Sequence, residues 1–68
     1  MKYVGINIGA LTVKLAALDG AETYSTVVPH QGRPVQVLQK LLSGANFADA
    51  DYFGVSGHLG HLSEAAAL

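Results

Sequence analysis

No cysteine occurs among the 68 residues, so the chain carries no disulfide framework, no thiol nucleophile and no cysteine ligand for zinc or an iron–sulfur cluster. Charge is sparse as well. Charged residues make up 13% of the chain, the net charge is −1, and Lys2, Lys14, Arg33 and Lys40 are scattered. That leaves no basic stripe for a nucleic-acid backbone or an anionic membrane surface. Long apolar runs are missing: glycines, Asn7 and Lys14 interrupt the N-terminal stretch, which is too short in apolar residues to span a bilayer. It also has neither the basic flank nor the cleavage site of a secretory leader. Internal repeats, low-complexity segments and a dividing linker are absent too. The expectation is a cytoplasmic domain that contacts neither nucleic acid nor membrane.

What remains is rich in core-forming residues. Half of the chain is hydrophobic, which places it among globular rather than disordered sequences. A domain of this length buries only about 60% of its unfolded surface, so its stability is marginal and no deep cleft can be built from it.

Period-two patterning marks the first strands. Val4, Ile6 and Ile8 alternate with Tyr3, Gly5 and Asn7, and Val13, Leu15 and Ala17 alternate with Lys14, Ala16 and Leu18. Asp19-Gly20 suits the positive-φ turn of a tight hairpin, and residues 22–28 supply Thr, Tyr and Val for a third strand. Together these predict an antiparallel three-stranded meander. Pro29 stops the third strand, residues 30–33 connect, and Pro34 occupies a good first-turn helix position. Val35, Leu38, Leu41 and Leu42 then share one helical stripe that would pack on one face of the meander, with Ser43-Gly44 as a glycine C-cap. Residues 46–51 read as a mostly polar loop. Residues 52–55 read as a short strand that pairs in parallel with the first one after the crossover helix. A second turn at Ser56 to His61 leads to a last helix over 62–68, where Glu64 and three alanines are strong helix formers.

The segment from Tyr3 to Lys14 carries the chemistry. A strand runs into a small-residue turn and out into a second strand, which brings backbone close to an anion. Gly9, free to take φ > 0, would let successive N–H groups face a phosphate. The site expected from this is Gly9, Ala10, Leu11 and Thr12 as backbone donors, with Lys14 adding charge and Asn7 holding a Mg²⁺-bound water.

This segment resembles the first phosphate loop of the ATPases of the actin, Hsp70 and sugar-kinase fold, whose consensus reads roughly Gly-Ile-Asp-Ile-Gly-Ser-Thr-Thr-Val-Lys. Gly5, Ile6, Ile8, Gly9, Thr12, Val13 and Lys14 match it. Asn7 stands where Asp is usual, Ala10 where Ser is and Leu11 where Thr is, so backbone cradling is kept while hydroxyl contacts and one negative charge are lost. Acetate kinases are similar here and carry Asn at the matching place. The predicted order, three strands, helix, strand, helix (βββαβα), is that of the α/β, ribonuclease-H-like half domain these ATPases use twice.

Within the superfamily the chain most resembles the BadF-type ATPases, the activators of 2-hydroxyacyl-CoA dehydratases and benzoyl-CoA reductases. Their Thr-Gly-x-Gly-Arg-like turn is similar to Phe53 through His61, with Ser56-Gly57 and Gly60 matched, one extra residue, and His61 in the place of Arg. The resemblance implies ATP and Mg²⁺ as cofactors, a dehydratase or reductase partner, and a second, similar half bearing the adenosine pocket and the other phosphate loop. It also implies an iron–sulfur cluster between subunits, for which no ligand is present here. The chain then reads as the N-terminal subdomain of a longer ATPase, inactive or weakly binding alone. Its apolar surface would be covered by the other half or by self-association. Two alternatives stay open: the front of a carbohydrate kinase of the glycerol-kinase type, and an interaction module that keeps the fold without the chemistry.

Other constellations are thin. His58 and His61, three apart, supply two ligands where zinc wants three or four, and the position of His30 is not fixed by sequence. Ser56-Gly57-His58 lacks the Gly-x-Ser-x-Gly of a nucleophile elbow. Asp19, Glu22, Asp49, Asp51 and Glu64 read as turn and surface carboxylates.

Overall fold

The structure is a computed structural model that describes residues 1–57. Four strands and one helix follow in the order β1 (Lys2–Ile8), β2 (Thr12–Asp19), β3 (Glu22–Pro29), α1 (Pro34–Leu42) and β4 (Tyr52–Ser56). The strands form one mixed sheet in the order β3-β2-β1-β4, with β1–β2 and β2–β3 antiparallel and β1–β4 parallel. This is a small mixed α/β domain. The helix expected over 62–68 and the turn histidines His58 and His61 lie outside the described residues.

Alternation along β1 and β2 decides the layering. Val4, Ile6, Ile8, Val13, Leu15 and Ala17 all point to one face and are buried, and α1 covers that face chiefly over β2. Leu38 is the helix residue taken fully out of water, with Val35, Val37, Leu41 and Leu42 packed around it. Helix ends are economical: Pro34 starts α1, and after the cap residue Ser43 the Gly44 N–H donates to Leu41 O at 3.0 Å. Gly44 does not adopt the left-handed conformation of a glycine cap, and Ser43 ends the helix in right-handed geometry instead. Glycine is favoured at 44 by proximity, since a Cβ there would sit 3.2 Å from Leu41 O.

Residues 46–51 form the loop expected of them, with one residue of it drawn into the core. Phe47 is buried in the core, held by N–H bonds from Phe47 and Ala48 to Gly44 O at 3.1 and 2.9 Å. The single aromatic fills the space beyond the last turn of α1, a position that no periodic pattern announces.

The β2–β3 link is tight: Asp19 pairs with Glu22, and Gly20 has φ 63° while Ala21 has no positive φ. That places glycine first of the two central residues, where a primed hairpin turn needs it. At the start of β1, the Lys2 N–H donates to Asp51 Oδ2 at 2.8 Å, Asp51 N–H donates to Lys2 O at 2.9 Å, and Lys2 Nζ donates to Ala48 O at 3.1 Å. Asp51 is thus a register pin for the parallel pair as well as a surface carboxylate. Asp51→Ala is expected to cost about 1 kcal/mol in urea unfolding, the worth of one such bond. It should also speed amide exchange at Tyr3 and Phe53.

Candidate phosphate-binding turn

The sheet's other face carries no helix among the described residues, and its side chains fall into three rows set by strand register. One row is aromatic and apolar: Leu18, Tyr3 and Tyr52, with the two tyrosine rings stacked at 5.1 Å. The middle row is small: Ser25, Ala16, Gly5 and Gly54. The third row is Val27, Lys14, Asn7 and Ser56, and it lies nearest the β1–β2 turn. Small residues in the middle leave a shallow open depression of about 430 Å³ floored by Gly5, Ala16 and Gly54 and edged by Asn7, Lys14 and Ser56.

Local sequence explains the polar edge. Asn7 and Lys14 are direct cross-strand partners, so the amide and the cation emerge side by side. Parallel pairing of β4 sets Ser56 on the other flank of Asn7, where Asn7 Nδ2 donates to Ser56 Oγ at 3.4 Å. Gly57 then closes against the end of β1 with φ 98°. A Cβ on Gly57 would lie 2.7 Å from Ile8 O, 2.8 Å from Asn7 Oδ1 and 2.9 Å from Ile8 N. Gly57 is therefore the glycine that this site requires on steric grounds.

Gly9 plays a different part from the one expected. Its φ is not positive, and a Cβ there would meet nothing nearer than Thr12 O at 3.7 Å. The reversal is made without a left-handed residue: Gly9 N–H donates to Thr12 O at 2.9 Å, and Ala10 and Leu11 form the link. The Gly9 N–H is consequently used inside the turn. The N–H groups of Ala10 and Leu11 have no backbone acceptor among the described residues, and both residues are exposed. Thr12 is partly buried at the start of β2, and Lys14 is exposed two residues on.

The structure fixes the position of His30, which the sequence left open. This residue is 5% exposed at the end of β3, with its N–H donating to Leu11 O and its Nε2 set 3.0 Å from Gly9 O. Its Nδ1 accepts the Gly32 N–H at 3.2 Å. Both ring nitrogens are engaged by backbone, so neither is offered to a metal. No group of three or more His, Asp or Glu side chains converges among the described residues.

Electrostatics separate the two ends of the sheet. Asp19 and Glu22 flank the β2–β3 turn and Asp51 lies beside Lys2, with Asp49 close to it in sequence, all at the end opposite the β1–β2 turn. Lys14 and Arg33 belong to the end where the turn sits, Arg33 N–H donating to His30 O at 2.8 Å. An anion at the turn meets no described carboxylate. The same distribution means that no general base and no Mg²⁺-binding carboxylate is supplied there by the described residues. Away from this site, Tyr24 Oη donates to the Glu22 carboxylate, and that bond together with the negative charge pushes the phenol pKa up.

The chain is thus a small α/β domain whose first hairpin turn has two exposed residues without a backbone acceptor for their N–H groups among the described residues, next to a row that holds an amide, a hydroxyl and a cation. No helix of the described residues is long and apolar enough to cross a membrane. No family model, curated protein or solved structure matches the chain.

Proposed function

We propose that this chain is the phosphate-binding front half of an ATP-hydrolysing protein of the actin, Hsp70 and sugar-kinase type, and that its parent activates a CoA-ester dehydratase or reductase. One observation carries the reading: the exposed β1–β2 turn sits beside the carboxyl ends of the parallel strands β1 and β4, with Asn7, Lys14 and Ser56 in one row next to it. Ligands of open α/β sheets gather at such strand ends. The ribonuclease-H-like assignment belongs to this proposal, supported by the meander, the crossover helix and the parallel fourth strand.

In this reading the N–H groups of Ala10, Leu11 and Thr12 hold phosphate oxygens, Lys14 offsets their charge, and Asn7 Oδ1 accepts from a water on Mg²⁺. Bound Mg²⁺ supplies charge neutralisation of the phosphates. These residues bind and orient the nucleotide tail.

The 68-residue chain is expected to bind Mg·ATP with a Kd on the order of 1 mM, as a half-site should. Lys14→Ala should weaken binding about fivefold, with the difference shrinking as salt screens the exposed charge. Binding indifferent to both Lys14→Ala and Asn7→Ala, or none at millimolar nucleotide, would remove the proposal. A second reading, an interaction module without chemistry, is favoured by the apolar row on the open face, where Tyr3, Leu18 and Tyr52 are each about half exposed.

A further inference from the structure

We infer that His30 is the positioning residue of the β1–β2 turn: its neutral imidazole holds the Gly9 carbonyl, beside the bond from its own backbone N–H to Leu11 O, and thereby aims the Ala10 N–H that would meet an anion.

The hydrogen bonds assign the ring. Nδ1 accepts from the Gly32 N–H, so it carries no proton, and the proton sits on Nε2, which donates to Gly9 O at 3.0 Å. The His30 N–H donates to Leu11 O at 3.0 Å. Peptide planarity converts these two bonds into direction. In a trans peptide the C=O of one residue and the N–H of the next point oppositely within one plane. Drawing Gly9 O toward His30 turns the Ala10 N–H away from it, and drawing Leu11 O toward His30 does the same for the Thr12 N–H. The Ala10 N–H is therefore oriented by a buried side chain that lies 21 residues from Gly9, and the Thr12 N–H by the backbone of the same residue. The clasp adds a restraint from outside the hairpin to the Gly9 N–H to Thr12 O bond that closes the turn from within.

The role in anion binding rests on the proposed function, whereas the clasp itself does not. The test separates them with two variants. Glutamine carries an amide nitrogen near the Nε2 position and can still donate to Gly9 O; asparagine is too short for that but can still accept from Gly32. His30→Gln should keep the Ala10 amide signal near its wild-type position and hold Mg·ATP affinity within about threefold. His30→Asn should shift the Ala10 signal, while the backbone bond to Leu11 O is kept, and weaken binding about tenfold, the scale of one lost anchoring bond. Wild-type imidazole nitrogen NMR should find His30 with a protonated Nε2 and a bare Nδ1, a reading that needs no variant to fold. A proton on Nδ1 would overturn the inference, as would a folded His30→Asn with unmoved turn amides. If wild type binds no nucleotide, the proposed function fails, while the tautomer and amide readouts still decide the clasp.

Discussion

Gly57→Ala is expected to destabilise the domain by roughly 3 kcal/mol, from strain of a side chain at φ 98° plus overlap with Ile8 and Asn7. Both causes act at one place. The new methyl would fall inside van der Waals distance of three atoms, two of them backbone of β1, which cannot swing aside as a side-chain tip can. The chain has two ways to respond: β4 withdraws from β1 at its C-terminal end, or β1 shifts and disturbs the turn that follows it. Amide exchange distinguishes them, because withdrawal exposes Val55 and Ser56 while leaving the β1–β2 ladder protected. A Gly57→Ala protein with wild-type unfolding midpoint would show that this close approach does not exist. By comparison, Gly9→Ala should change stability by less than about 1 kcal/mol, since a Cβ at Gly9 fits ordinary contact distances.

Leu38→Ala carries a comparable penalty for another reason. Leu38 is the fully buried anchor of a nine-residue helix, and truncating a buried leucine costs about 3 kcal/mol through lost transfer energy and the cavity left behind. A domain of this size has only on the order of 5 kcal/mol in total. About 2 kcal/mol would remain, which raises the unfolded share at room temperature to roughly 3%, and far-UV circular dichroism against urea would read the loss as a midpoint shift. The exposed Leu11 provides the control, since Leu11→Ala should fall within about 0.5 kcal/mol of wild type. Similar midpoints for the two leucine variants would mean that α1 is not seated on the sheet.

The layering was legible in the sequence because alternation is a local property. Val4, Ile6 and Ile8 announce a buried face whatever the rest of the chain does, and Asp19-Gly20 and Pro34 mark a turn and a helix start through backbone chemistry of their own. Lys14 beside Asn7 was also within reach, since the register of a hairpin follows from its turn. The contributions of Phe47, His30 and Gly57 were not legible in this way. Phe47 becomes core only because α1 ends where a large side chain can reach back to the sheet. His30 matters through carbonyls 19 and 21 residues away, and nothing periodic connects it to them. Glycine at 57 was visible as part of a turn. Its steric necessity arises only after β4 is laid against β1. The exchange of roles between Gly9 and Gly57 has the same origin: a motif identifies which segment is a turn, and the packing of neighbours decides which residue in it must lack a Cβ.

The clearest trial of the phosphate-binding turn is an amide NMR titration of the chain with Mg·ATP, with Mg·tripolyphosphate alongside to isolate the phosphate tail. The expected result is saturable movement of the Ala10, Leu11 and Thr12 amides and of the Asn7 and Ser56 side-chain neighbourhood in both titrations, with the acidic end at Asp19, Glu22 and Asp51 unmoved. Shifts confined to the tyrosine row of the open face, or no saturable shift at the turn with either ligand, would contradict it.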